Sequence, residues 1–495
     1  MSLQSVSGLS FEFGGLKPVE LELSEAPLTS DAGLLPVRQF DERRRFTEQL
    51  AAAIGDRREP GAVNHSVLTM LRQRVYGMLG GYEDQNDHDT LRHDPVFQLI
   101  CDQTPMMRGD GAWERANPLA SQPTLSRFEN AITIADLKRL RDVMLDQFIQ
   151  SFDQAPARIT LDVDAFDDPC HGQQQLVMFH GFYEQYQYLP IVFTCAENDL
   201  VVFVALRFGS CPSFLGADDD LRYLARRLRA VWPDVEIVLR GDSGFGNPTM
   251  YDVCDELRIT YTFGIGMNSV LKAKSEELLE TAVTQFEATQ QPQRLFQSLM
   301  YRAGSWPAER RTIIKCEANA LGTNRRAVVT NRPGAEVLIQ PVYDEYAERG
   351  ESENRNKELK RGLSADRLSD HRFLANYFRL QLHASALNLL VRLRRTVREP
   401  LPPQTLSLSG DLPHDRAVEA LGGLERPRYF NRRRDRDPLG EGHIETWRTR
   451  LIKVAAEVIV SARRIVVRLA PGWPHLHHFA AVSQAVLNLA PVGTQ

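Results

Sequence analysis

The chain has 495 residues, of which 43% are hydrophobic and 25% charged, with a formal net charge of −5. That length exceeds what one hydrophobic core serves and implies roughly two to four domains, and no uninterrupted apolar run reaches the about 18 residues a membrane span needs. The opening MSLQSVSGLSFEFGG lacks a basic stretch followed by an apolar core, so no secretory signal is expected and the chain reads as cytoplasmic.

The six cysteines (Cys101, Cys170, Cys195, Cys211, Cys254 and Cys316) are scattered without a Cys-x-x-Cys pair, which speaks against a disulfide framework and a zinc site. A sequence pI near 6.2 does not announce a nucleic-acid binder. Charge is uneven, however. Residues 349–398 hold twelve Lys or Arg against five Asp or Glu, and a second basic stretch from Arg426 to Arg468 includes Arg432, Arg433 and Arg434. Local stripes of this kind matter more for phosphate binding than the total.

Residues 1–155 read as mainly helical after a short opening with strands near Val19 to Leu23. Ser30 and Asp31 are placed to cap a helix running to Ile54, and Asn64-His65-Ser66 to open another through Leu79. The segment from Gly81 to Pro95 gathers Glu83, Asp84, Asp87, His88, Asp89, His93 and Asp94, which reads as a turn-rich acidic loop before it reads as a metal site. Ser121 to Asn130 then precedes an amphipathic helix from Ile134 to Phe152; its Ser, Thr and Arg suit either a DNA backbone contact or an ordinary connector.

From Arg158 the period changes from helical to alternating, with Ile159, Leu161 and Val163 against Thr160, Asp162 and Asp164. Further β runs follow at Leu176 to Phe182, Tyr188 to Cys195 and Leu200 to Phe208, then a helix from Asp219 to Val231 and a strand from Val235 to Leu239 that ends at Arg240-Gly241-Asp242. A helix near Pro248 to Leu257 and a strand near Thr260 to Gly264 complete a mixed α/β sheet covered by helices, in the order of a ribonuclease-H-like core (156–265). Residues 266–340 read as a β-rich insertion, 341–398 as the second part of the core, and 399–495 as a basic C-terminal region beyond the stiff linker Glu399 to Pro403. The long helix from Arg372 to Arg398 carries an apolar stripe of Phe373, Tyr377, Leu380, Ala384, Leu387 and Val391.

Within YAERGESENRNKELK, Tyr346, Arg349, Glu353 and Lys360 fall within roughly 60° of arc if the stretch is one α-helix. One carboxylate is thereby flanked by two cations and a phenol. Asp164 at the first strand's end, Asp242 after the fourth and Glu353 on this helix are acids from separate elements. Such sets hold Mg²⁺, and two ions about 3.5–4 Å apart serve phosphoryl transfer. Singly, each acid reads as an ordinary strand end, turn or solvated helix residue; jointly they point to function.

These motifs carry a resemblance. The Tyr-x2-Arg-x3-Glu-x6-Lys spacing of Tyr346, Arg349, Glu353 and Lys360 resembles that of bacterial DDE transposases, most of all the insertion-sequence family numbered 1380. LDVDAFDDPCHGQQ (161–174), LRGDSGFGNP (239–248), ENRNKELK (353–360) and LSDHRFLANYFRLQLHASALNLL (368–390) extend the likeness over roughly residues 20–470. It implies Asp164, Asp242 and Glu353 as the metal-binding triad, with 78 and 111 positions between successive members. Asp164 is taken over Asp162 because the family places its aspartate before a small or hydroxylated pair; Phe166 departs from that pattern, and Asp162 on the same strand face stays an alternative. Arg349 and Lys360 would grip phosphates and Tyr346 a terminal phosphate. Trp306 would stack on a flipped base, at about 1 to 3 kcal/mol, or serve as a core residue of the insertion. His171 and His180 would be structural or contact phosphate.

The resemblance implies a transposase that binds double-stranded DNA at its element's terminal inverted repeats, cleaves the ends with Mg²⁺ (Mn²⁺ substituting) and joins 3′-hydroxyls to target DNA. It would act as a homodimer in the synaptic complex, with the helical N-terminal region reading the ends and the basic stretches clamping the backbone. The alternatives are a domesticated DNA-binding protein and a ribonuclease-H-like nuclease without strand transfer.

Overall fold

The computed structural model describes residues 9–13, 17–22, 24, 26–105, 107–108, 113–114, 118–334, 338–397, 443–461 and 463–490. They fall into two compact units, one drawn from residues 1–51, 56–128 and 393–495, the other from 52–55 and 129–392. The linker from Glu399 and the cluster Arg432 to Arg434 lie outside the described residues.

The first unit is largely helical, with a small sheet in which Ala456–Val460 pairs antiparallel with both Leu28–Thr29 and Ile465–Leu469. Ser66 caps Val67–Gly80 as its position predicts, accepting from the Thr69 amide. The Ser30-Asp31 cap does not form. The helix starts at Leu34 behind Gly33 and breaks at Arg45, whose φ is 52°. Asp31 instead takes Lys453 Nζ at 2.7 Å and the Tyr82 hydroxyl at 2.9 Å. The acidic loop is also more structured than its composition implies. His88 is fully buried, Asp94 caps Pro95–Ile100 through the Val96 and Phe97 amides, and Asp89 accepts from the Gln122 amide. In the C-terminal region Ile444–Trp447 makes one helical turn before a π turn and the two strands.

The second unit starts with α1 (Ile134–Ile149), capped by a reciprocal Thr133/Asp136 box. Its strands are β1 (Arg158–Ala165), β2 (Asp168–Pro169), β3 (Met178–His180), β4 (Gln185–Tyr188), β5 (Ile191–Cys195) and β6 (Val201–Ala205). Then come α2 (Ala217–Val231), β7 (Glu236–Gly241), α3 (Pro248–Glu256) and β8 (Thr260–Ile265). Helices α4 (Ser269–Lys274) and α5 (Glu276–Thr289) precede β9 (Gln293–Tyr301), β10 (Arg310–Asn319) and β11 (Gly322–Thr330). Helices α6 (Ile339–Ala347), α7 (Gly350–Lys357) and α8 (Phe373–Val397) follow.

Among the described residues eight of these strands build a mixed sheet in the order β6-β5-β1-β7-β8-β11-β10-β9, and the other three form a separate sheet in the order β2-β4-β3. The centre is parallel, β1 with β7 and β7 with β8, and the flanks are antiparallel. The three strands of the 266–340 segment therefore extend the main sheet, because β11 pairs with the edge β8 would otherwise expose. At the other edge, Asn388 of α8 donates to the Val201 carbonyl and accepts from its amide, each at 2.8 Å. This satisfies edge groups that would otherwise be lost to burial. Helix α8 is more than an apolar stripe: Phe378, Leu382, Leu389 and Leu390 are buried along with Leu380, Leu387 and Val391. All six cysteines are buried and free. Among the described residues no helix is long and apolar enough to cross a membrane.

Candidate active site

Strands β1 and β7 run parallel with Val163 opposite Gly241 and Asp162 opposite Arg240. Side chains two apart share a face, so this register puts two rungs on one side of the sheet. The inner rung is Asp162 with Arg240, and the outer is Asp164 with Asp242, just beyond the paired residues. The rungs differ in charge. Arg240 donates to both Asp162 oxygens, Nε at 2.7 Å and Nη2 at 2.8 Å, with both side chains 3% exposed. Burial pushes the Asp162 carboxyl up, and Arg240 opposes that. The outer rung instead sets two carboxylates side by side at the strands' carboxyl ends.

Helices α6 and α7 cover this face. Arg240 Nη1 donates to the Glu345 carbonyl at 2.5 Å, tying α6 to the inner rung. Over the outer rung, Arg349 Nη2 donates to Glu353 Oε1 at 3.2 Å, while Nη1 lies 3.6 Å from Asp164 Oδ2. Nη1 is buried and has no hydrogen-bond partner among the described residues. Asn356, one turn beyond Glu353, donates from Nδ2 to Asp164 Oδ2 at 2.9 Å. Asp242 accepts from the Gly244 amide at 2.9 Å. Burial pushes the Asp164 carboxyl up to about 6; Arg349 counters this, whereas Asp242 and Glu353 add to it. Asp164 thus feels the charge of both other acids, and one guanidinium stands among them.

Tyr346 completes this group. Burial pushes its phenol up and Arg349 opposes the shift. Its hydroxyl occupies space that a Cβ on Gly264 would enter, at 2.7 Å, so a side chain there would have to displace the phenol. The stretch Tyr346 to Lys360 is nevertheless not one continuous helix. Helix α6 stops at Ala347, α7 starts at Gly350, and a π turn spans Glu358–Gly362. Glu358 sits inside that turn, buried and paired with Arg355. The wide turn delivers Lys360 to Asp167, Nζ to Oδ1 at 2.5 Å.

Trp306 is 8% exposed, its ring packed edge-on against Tyr251 and Tyr301 at centroid distances of 5.2 and 5.5 Å. It presents no free face, in keeping with the core reading. His171 is exposed, and His180 Nδ1 accepts from the Phe182 amide at 3.2 Å. Among the described residues neither bonds to the three acids. The residues that sequence patterns missed are Asn356 and Asp167. A signal for Asn356 existed in its three-residue spacing from Glu353; none pointed to Asp167.

As a donor set, three carboxylates without nitrogen or sulfur suit a hard divalent cation. Among the described residues no three His, Cys, Asp or Glu side chains already enclose such a site. Arg349 stands among these acids, Nη1 3.6 Å from Asp164 Oδ2 and Nη2 3.2 Å from Glu353 Oε1.

The family model described as transposase DDE domain group 1 matches residues 11–407. No curated protein matches the chain. Among solved structures, the chain is similar to a piggyBac transposase, determined by cryo-EM as a synaptic complex with hairpin DNA. The identity is 13% and the TM-score 0.37, over 74% of this chain and 77% of that one.

Proposed function

The chain belongs to the DDE-type DNA transposases, and on that premise we propose that it binds the terminal inverted repeats of an insertion sequence, cleaves its ends and joins the 3′-hydroxyls to target DNA. The observation that carries this reading is the outer rung, two carboxylates on adjacent parallel strand ends with Glu353 above them. The order β6-β5-β1-β7-β8 supports a ribonuclease-H-like core, with helices between β6 and β7 and between β7 and β8.

Asp164, Asp242 and Glu353 would hold the metal, two Mg²⁺ ions with Mn²⁺ able to substitute. Bound there, the metal supplies charge stabilisation to a phosphoryl group under in-line attack. The chain's own groups do the rest. Asn356 holds one oxygen of Asp164 and so fixes the orientation of that carboxylate. Arg349 Nη1 is buried beside Asp164 without a hydrogen bond, and a phosphate oxygen would take it as a charge-assisted acceptor. As Arg349 turns to phosphate, Glu353 is released toward the other two acids. Lys360, held by Asp167, supplies a second cation to the backbone, and Tyr346 a hydroxyl donor. Two DNA ends call for two such sites, hence a homodimer in the synaptic complex, with residues 1–155 reading the end sequence.

The test is strand cleavage and joining on duplexes spanning the ends of the element that carries the gene. Wild type with Mg²⁺ should nick the ends and transfer a labelled 3′ end to a plasmid, and Glu353→Gln should do neither. Cleavage without transfer would favour a nuclease, and binding without cleavage a domesticated DNA-binding protein.

A further inference from the structure

Helix α6 is held to the sheet in two ways. Val342 and Tyr343 share a buried cluster with Ile313 of β10 and Val328 of β11, and Ile339 and Tyr346 pack against it. Apolar packing is non-directional, so it keeps the helix on the sheet without fixing its position along it. The polar contacts of Glu345 are directional. Its Oε1 accepts from Arg158 Nη2 and, at 2.6 Å, from Arg332 Nη2, while its carbonyl accepts from Arg240 Nη1 at 2.5 Å. Among the described residues Glu345 is the carboxylate that pairs with both Arg158 and Arg332, and each of these has a buried Nε without a hydrogen bond.

The three guanidiniums come from three places in the sheet. Arg158 opens β1, Arg240 lies next to the last residue of β7, and Arg332 stands two residues past β11. Strands β1 and β7 are the ones that lead to Asp164 and Asp242. On β1, Arg158, Asp162 and Asp164 are separated by even intervals and share one face. Glu345 therefore grips the same face of β1 that ends in the first acid. Downstream, only Glu348 and Arg349 separate α6 from α7. So short a link passes any slip of α6 on to Arg349 and Glu353, which meet each other at 3.2 Å, with Arg349 3.6 Å from Asp164.

We propose that Glu345 is a positioning residue for strand cleavage: by locking α6 in place on the sheet it holds Arg349 and Glu353 over Asp164 and Asp242. The inference rests on the transposase reading above. Glu345 touches no DNA in this scheme and acts through the helix that carries it.

The experiment compares Glu345→Ala and Glu345→Gln with wild type in the full chain, by unfolding midpoint, by amide hydrogen exchange without DNA or metal, and by affinity for and cleavage of end duplexes. Glu345→Ala should slow cleavage at saturating duplex roughly 100-fold, the cost of a misplacement of about 1 Å, with duplex affinity retained. Exchange should rise across residues 350–357 and stay at the wild-type level in β1 and β7. Glu345→Gln keeps an acceptor on a side chain of the same length and should recover part of the rate. An unchanged rate per folded molecule in Glu345→Ala overturns the proposal, as do rate and affinity that fall together. Exchange that rises uniformly across the unit overturns it too, in favour of a general contribution to stability. If Glu345→Ala does not fold, Glu345→Gln decides: slower cleavage with faster exchange confined to 350–357 supports the proposal, and a wild-type rate overturns it. Wild type that cleaves no end duplex defeats the functional reading itself, whereas wild-type cleavage with an equally active Glu345→Ala defeats the positioning role alone.

Discussion

Arg240 grips both oxygens of Asp162, whereas Asp164, two residues along the same strand face, is held on one oxygen by Asn356. The two aspartates of one motif therefore answer differently to the same substitution. Asp162→Asn removes the charge that compensates a buried guanidinium, whose other partners are the Glu345 carbonyl and Glu348 at 3.5 Å; breaking a buried pair costs about 3–5 kcal/mol, so it should lower the unfolding midpoint sharply. Asp164→Asn removes a buried charge that faces two other acids. It should abolish cleavage while leaving stability unchanged or raised. Urea titration alongside a nicking assay checks both, and a stable, inactive Asp162→Asn would reverse the assignment.

In the proposed site Asn356 would act through Asp164 and not on the substrate. Removing the group that orients a metal ligand typically costs 10- to 100-fold in activity or metal affinity, and Asn356→Ala should lower the cleavage rate by roughly that factor with DNA affinity preserved. Asn356→Asp would add a fourth carboxylate at 2.9 Å from Asp164 Oδ2 and should be worse than alanine. If both variants lose DNA binding in proportion to rate, Asn356 belongs to the DNA surface instead.

Trp306 is a core residue by its contacts, so its loss should be felt in folding. Trp306→Ala removes a large ring from between Tyr251 and Tyr301, and such truncations cost about 3–5 kcal/mol. Trp306→Phe, which keeps an aromatic ring there, should recover much of that and cleave normally. Loss of end binding in Trp306→Phe at full stability would instead return the stacking role to Trp306.

Much of this arrangement was legible in the chain because it is local. The alternation at 158–165 marks β1, the apolar run before Arg240 marks β7, and the acids fall at their ends. What the sequence could not disclose depends on register between distant strands. Nothing local says that Arg240 lies opposite Asp162, and that pairing is what separates the structural aspartate from the available one. The unbroken helix from Tyr346 to Lys360 was expected from spacing alone. A π turn at Glu358–Gly362, with Glu358 buried inside it, redirects Lys360 toward Asp167, and the spacing does not announce it. Likewise the strands from Gln293 to Thr330 show their own alternation, but not that β11 docks on β8 and lengthens the sheet.

Asp220, in the first turn of α2, should give the protein a pH dependence outside the proposed site. Burial pushes its carboxyl up to about 7, Arg207 and Arg141 oppose this, and Asp219 and Asp218 reinforce it. In the unfolded chain the same group ionises near the ordinary value of about 3.9. Folding then favours the protonated form. Its contribution to stability is complete below about pH 4, falls as the pH rises toward about 7, and is constant above that. Across this window the wild type should lose at most about 1.4 kcal/mol per pH unit relative to Asp220→Asn, which cannot ionise. Unfolding midpoints of both proteins between pH 4.5 and 8 measure the difference directly. The curves should diverge up to about pH 7 and then run parallel; parallel curves throughout would mean that Asp220 ionises in the folded protein as it does in the unfolded chain.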